Sequence, residues 1–179
     1  AKKIYTRDSL TANDLTFQLK KKVSFLGNPF MDKFFPISKE FKNSEFSIGL
    51  FPGSRFPEIL ENFVLILDLL ESLSDLRYFH KIEFNFAIVN GLSAAKIKQI
   101  FQKRRWLKIE KIKEKYLLKF KYKLLEVNIY WNNFEKILLK SRCCISMAGT
   151  AAEQAIGLGK PVIQIEGKGP QFTKTFAEA

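Results

Sequence analysis

Hydrophobic and polar positions alternate between two periods along this chain. Residues 46–51, "FSIGLF", form a short apolar run that ends in "PGSRFPE", the pattern of a buried strand running into a polar loop. In "PEILENFVLILDLLESL", Ile59, Leu60, Phe63, Val64, Leu67 and Leu70 recur at helical spacing, and Pro57 suits a first turn. "EFNFAIV" (residues 83–89) predicts the next strand and "SAAKIKQIFQKRRW" the next helix. "LEVNIYW" (125–131) alternates as strands do, and "NNFEKILLKS" predicts a short helix capped by Asn132 or Asn133. "CCISM" then predicts a strand, "TAAEQAIGLG" a helix closed by glycine, and "PVIQIEG" a further strand. Nearer the start, "KKIYT" and "KVSFLG" predict short strands joined by a polar, Thr/Asp-rich link. Residues 107–123 are Lys-rich and fit either a helix or a long strand.

Repeated strand–helix–strand units predict an α/β fold: a Rossmann-like, doubly wound parallel sheet with helices on both faces. In such sheets ligands bind beyond the carboxyl ends of the strands, where loops lead into helices. Two loops there carry suitable chemistry, "FPGSRFPE" and "SMAGTAAE".

Composition narrows the classes without choosing among them. A chain of 179 residues suits one domain whose core needs neither disulfides nor metals. The net charge of +12 would attract phosphates, nucleic acid or an anionic membrane surface. Much of it is dispersed lysine; the densest run, residues 102–123, reads as a solvated helix face, with an anion-binding patch as the alternative. Cys143 and Cys144 are adjacent, lack C-x-x-C spacing, and read as small apolar strand residues. With a single histidine, His80, no zinc cluster can be assembled, and a reducing cytoplasm is the default. His80 falls at the end of the sheet opposite the two loops and reads as structural; Asp32 in "GNPFMD" reads as a cap or turn residue. No apolar run reaches transmembrane length, and "AKKIYTRD" is not a signal peptide.

Within "PGSR", Gly53 permits positive φ and close approach to the amides, Ser54 adds a hydroxyl, and Arg55 offers a planar charged fork to a diphosphate. The helix beginning near Pro57 would add unpaired N–H groups. An ordinary glycine turn with a surface arginine remains the alternative. In "SMAGTAAE", Gly149 gives close approach and the amides near Thr150 and Ala151 would face a phosphate at a helix start. Glu153 could accept hydrogen bonds from both hydroxyls of a ribose. Equally, Thr150-x-x-Glu153 fits a capping box, in which the glutamate folds back onto the cap amide. "GLGKP" is not a P-loop, since no Ser or Thr follows Lys160 and a strand comes next. Lys168 and Gln171, in "GKGPQFT", fall in the loop after that strand, and Gln171 alone reads equally as a solvent-exposed amide.

Taken in order, "FLGNPFMD", "GLFPGSRFPEI" and "SMAGTAAEQAIGLGKPVIQIEGKGPQFTKTFAEA" resemble the C-terminal half of lipid-A-disaccharide synthase-related proteins, within the GT-B glycosyltransferases. The resemblance runs from about residue 5 to residue 179 and is thin across residues 92–125. It implies one half of a GT-B fold, the donor-binding domain, spanning residues 1–179, with residues 1–30 as an interdomain junction and first strands. It also implies that Glu153 holds the ribose hydroxyls, that Gly149, Thr150 and Ala151 line the diphosphate through their backbone, and that Gly53, Ser54 and Arg55 flank it. Gln171 would approach the donor sugar and Asn28 the interdomain cleft. The implied donor is a UDP-sugar and the acceptor is lipid-like, reached at the inner face of a membrane. No metal or other cofactor is expected, and the catalytic base would come from an N-terminal domain, the chain being a piece of a longer enzyme. Phe56 departs from the pattern, where a polar residue is expected. A UDP-sugar epimerase of the same architecture and a basic nucleic-acid-binding module are the alternatives, nucleic acid being the less favoured partner.

Overall fold

The computed structural model describes residues 2–34, 46–109 and 117–167. The chain divides into two compact units, Ala1–Ser38 and Lys39–Ala179.

In the first unit, β1 (Ile4–Thr6) and β2 (Val23–Phe25) pair in parallel, Ile4 opposite Val23, and α1 (Ser9–Leu19) connects them. Helix α1 occupies the stretch expected to be a polar link. Asp8 caps it: the carboxylate accepts from the Thr11 amide at 2.7 Å and from the Thr11 hydroxyl at 2.8 Å. Ala12 is the one buried residue of α1, so no apolar stripe marked the helix in the sequence. Leu10, Phe17 and Leu26 are largely exposed. A 3-10 helix, Pro29–Phe34, follows.

The second unit is built on a seven-stranded sheet. Its strands are β3 (Ser47–Phe51), β4 (Glu83–Ile88), β5 (Leu107–Ile109), β6 (Leu117–Tyr122), β7 (Leu125–Trp131), β8 (Cys143–Ser146) and β9 (Val162–Ile163). They lie in the order β5-β6-β7-β4-β3-β8-β9. Strands β7, β4, β3, β8 and β9 run parallel, while β6 runs antiparallel to both of its neighbours, β7 and β5. Helices α2 (Glu58–Leu73), α3 (Ala94–Lys103), α4 (Phe134–Lys140) and α5 (Gly149–Gly157) connect them. This is a mixed α/β unit with a mostly parallel sheet.

Alternation along the strands separates two faces. Ile48, Leu50, Phe84, Phe86, Val127 and Ile129 point to one side, where they form the core with Ile59, Phe63, Leu67 and Leu70 of α2 and Ile97 and Phe101 of α3. Aromatic packing dominates that layer; Phe101 stacks on Phe120 with ring centroids 3.9 Å apart. The other face carries smaller and polar residues, including Ser47, Gly49 and a buried amide pair in which Asn128 donates to Asn85 at 2.8 Å. Helix α4 packs there, with Phe134 against Phe51 and the Ser47 hydroxyl donating to the Lys140 carbonyl.

The basic run over residues 102–123 is not a helix face. Helix α3 ends at Lys103, and the described remainder forms the antiparallel edge β5–β6, so the sheet is not parallel throughout. Between β6 and β7 the turn is only Lys123 and Leu124, with Tyr122 opposite Leu125 and Lys123 at φ 51°. A two-residue hairpin turn usually announces itself by Asn-Gly or Asp-Gly. Here a lysine takes the strained position, so the turn was invisible in the sequence. Several of the charges are also paired: Arg104 with Asp68 and Glu71, Lys119 with Glu126, and Lys123 with Asp75.

Candidate functional site

Strand β3 lies at the point where the connections change direction. From β3 the chain moves through β4 to β7 on one side, then returns to β8 on the other. The crevice beyond the carboxyl ends of β3 and β8 is therefore the topological switch point, the usual ligand position in open α/β sheets. Both candidate loops leave the sheet there. Phe51 and Ser146, the final residues of their strands, are paired in register. The Met147 amide donates to the Phe51 carbonyl at 2.8 Å, continuing the ladder one step into the loops.

Gly53 follows with φ +106°, a conformation that side chains other than hydrogen rarely tolerate. A Cβ built there would stand 3.6 Å from the Met147 carbonyl oxygen, so the two loops lie in near contact. Ser54 and Arg55 are exposed. The Arg55 carbonyl accepts from the Ile59 amide at 2.8 Å and that of Pro57 from the Leu60 amide at 3.1 Å. Two of the N–H groups expected to be available at the start of α2 are thus already used. Glu58 and Glu61 in its first turn further offset the helix dipole, and Glu58 Oε2 is buried without a hydrogen-bond partner. Phe56 is half-exposed, its ring edge lying over Gly91 in the loop after β4.

Helix α5 presents a different start. Its cap position is Ala148, in extended conformation, with no side-chain cap hydrogen bond and no acidic residue in the first turn. The amides of Gly149, Thr150 and Ala151 precede the first intrahelical bond, which runs from the Ala152 amide to the Ala148 carbonyl at 3.0 Å. Ser146 braces the turn: its buried hydroxyl donates to the Ala148 carbonyl at 2.9 Å and accepts from the Ala148 amide at 3.3 Å. Thr150 is therefore not the cap residue, and Glu153 stands two residues beyond the third helical position that a capping box uses. Glu153 is half-buried, while Ala151 and Ala152 are buried beside it. Of the two helix starts at the crevice, α5 is the one suited to an anion.

Two side chains around the crevice were not singled out from the sequence, and a third, at the opposite end of the sheet, was read there only as a lysine that does not complete a P-loop. Ser146 is one. Asn62, on the buried face of α2, donates to the Pro52 carbonyl at 3.1 Å; an amide inside an otherwise apolar stripe was the available signal. Lys160 is the third, in the link from α5 to the amino end of β9 and so at the far end of the sheet from the crevice. Its ammonium donates to the Leu139 carbonyl at 2.8 Å and to the Ser141 carbonyl at 2.5 Å, closing the end of α4. Burial lowers its pKa from the ordinary lysine value, against the nearby Cys144 thiol. Burial likewise pushes the Cys144 thiol up to about 12, which leaves it protonated and inert.

Gly53, Ser54, Arg55, Gly149, Thr150, Ala151 and Glu153 thus belong to two adjoining loops and the helix that follows one of them. Asn28 belongs to the first unit, where its side chain accepts from the Phe30 amide at 3.1 Å. Gln171 and Lys168 lie outside the described residues. His80 falls in a 3-10 helix, Arg77–Lys81, that leads into the amino end of β4. Among the described residues no His, Cys, Asp and Glu side chains cluster as a metal-ligand set, and no helix is long and apolar enough to cross a membrane. No protein-family model matches the chain, and no curated protein matches it in sequence.

Proposed function

We propose that the second unit binds a nucleotide-sugar, with a UDP-sugar as donor, in the crevice between the carboxyl ends of β3 and β8. On this reading the sheet is Rossmann-like and serves as the donor-binding half of a GT-B glycosyltransferase related to lipid-A-disaccharide synthase. The observation that carries it is the convergence of the Gly53 loop on an uncapped, acid-free start of α5. The diphosphate would lie against the amides of Gly149, Thr150 and Ala151, with Arg55 close enough in sequence to Gly53 to supply full charge. Glu153, further along the same helix, would accept from the ribose hydroxyls.

The chemistry assigned to this chain is electrostatic. As the sugar–phosphate bond breaks, negative charge grows on the leaving diphosphate, and fixed amides and an arginine stabilise that charge more than they stabilise the bound donor. The base that activates a lipid-like acceptor is assigned to a separate domain, at the inner face of a membrane in the cytoplasm. The reaction, the acceptor and that location all follow from the sequence resemblance; the nucleotide site rests on the crevice itself.

Titration of UDP and UDP-N-acetylglucosamine into the protein, beside a Glu153→Ala variant, tests the reading. Saturable binding weakened by about 1–3 kcal/mol in the variant is expected, the usual loss for hydrogen bonds to a charged group. Equal affinity in a folded Glu153→Ala variant would remove Glu153 from the site.

A further inference from the structure

Asn62 is 2% exposed and sits on the α2 face that otherwise buries Ile59, Phe63, Ile66, Leu67 and Leu70. Burying an amide among such residues is costly unless its polar atoms are used. Its Nδ2 donates to the carbonyl of Pro52, the buried residue between β3 and Gly53. Its Oδ1 faces the segment after β9: a Cβ built at Gly167 would lie 2.9 Å from that oxygen and would overlap the Met147 methyl group. One side chain therefore touches the chain as it leaves β3 and the chain as it leaves β9, beside the first residue after β8. Those are the strand ends that border the crevice.

We propose that Asn62 is a positioning residue for the nucleotide site, fixing the path of the loop that carries Gly53, Ser54 and Arg55. The inference rests on the nucleotide-sugar reading above. Pro52 has no N–H, and its buried carbonyl accepts from a side chain instead of a neighbouring strand. Without that donor, the loop must turn outward to hydrate the carbonyl, carrying the Gly53 turn away from Met147. Preorganised charge and dipoles stabilise a ligand more than mobile ones, because no ordering cost is left for the binding step. The packing of Gly167 against the same amide ties the stretch just after β9 to that arrangement.

The test uses Asn62→Leu, which keeps the volume, and Asn62→Asp, which keeps the shape but, when ionised, sets an acceptor against the Pro52 carbonyl. Two readouts are taken on each folded variant: the backbone amide resonances of residues 53–55 in the free protein, and the dissociation constant for UDP. The expected result is broadened or doubled loop resonances with the core spectrum preserved, and UDP binding weakened about tenfold, the equivalent of about 1.4 kcal/mol. Unchanged loop resonances and unchanged UDP affinity in a folded variant would overturn the proposal, even with a lowered melting temperature, because a purely structural amide affects stability alone. If the parent protein itself binds no UDP, the nucleotide reading fails separately, and the loop resonances still decide whether Asn62 positions residues 53–55.

Discussion

Met147 joins the two candidate loops to one another: its amide donates to the Phe51 carbonyl, and its own carbonyl lies 3.6 Å from where a Cβ at Gly53 would stand. The turn after β3 and the turn into α5 are therefore parts of one surface. A ligand beyond the carboxyl ends of β3 and β8 would meet both.

Replacing Gly53 should report on that surface directly. Its φ of +106° strains any other residue, at a cost of about 1–3 kcal/mol. Gly53→Ala is expected to lower the unfolding free energy, read from urea denaturation, by that amount while weakening UDP further than the lost stability explains. Denaturation and titration on the same sample separate the two effects. A variant as stable as the parent would show that the turn is not held at this geometry.

Lys160 offers a contrast. In "GLGKP" it has the look of a phosphate lysine, but its ammonium is spent on the Leu139 and Ser141 carbonyls. Lys160→Met leaves both carbonyls without that donor and should cost about 1–3 kcal/mol of stability. UDP affinity of the folded variant should not change. A loss of binding at full stability would make Lys160 a ligand contact, against the reading of "GLGKP" as no P-loop.

Glu71 gives the fold a predictable pH dependence. Burial alone would raise its pKa, but hydrogen bonds from Arg104 and Trp106, with the Arg104 charge, hold it below the ordinary value of 4.5. A carboxylate with a depressed pKa contributes stability above its unfolded value and loses it as pH falls through the folded one. Glu71→Gln should thus be less stable than the parent at neutral pH, and the gap should close as pH drops below about 4.5. Urea midpoints between pH 7 and pH 3 measure it; a gap independent of pH would mean that the ion pair does not distinguish folded from unfolded chain.

Much of the central sheet was legible because its strands are short apolar runs bounded by loop residues, and α2 and α3 carry clear helical stripes. Ile59, Phe63, Leu67 and Leu70 are all fully buried, as the spacing predicts, while Leu60 and Val64 flank that face half-buried. The elements that escaped had no such mark. Helix α1 buries Ala12 and is announced by the Asp8 cap, and the β6–β7 hairpin turns on a lysine where Gly or Asn is usual. At the candidate site, the spacing of Thr150 and Glu153 could not separate a capping box from a ligand site. The start of the helix removes only the capping box: Ala148 is the cap, so the glutamate falls outside it. Asn62 and Lys160 were hidden for another reason, since both act on backbone carbonyls distant in sequence or across a loop, which no local pattern encodes.

The central claim is that the start of α5 and the Gly53 loop form one nucleotide site. Backbone amide shifts followed during addition of UDP test it most directly. The account predicts saturable shifts at Gly149, Thr150 and Ala151 together with residues 53–55, and little change along β5 and β6. Shifts confined to the basic β5–β6 edge and fading steeply with salt would instead indicate nonspecific phosphate attraction, and would contradict the site described here.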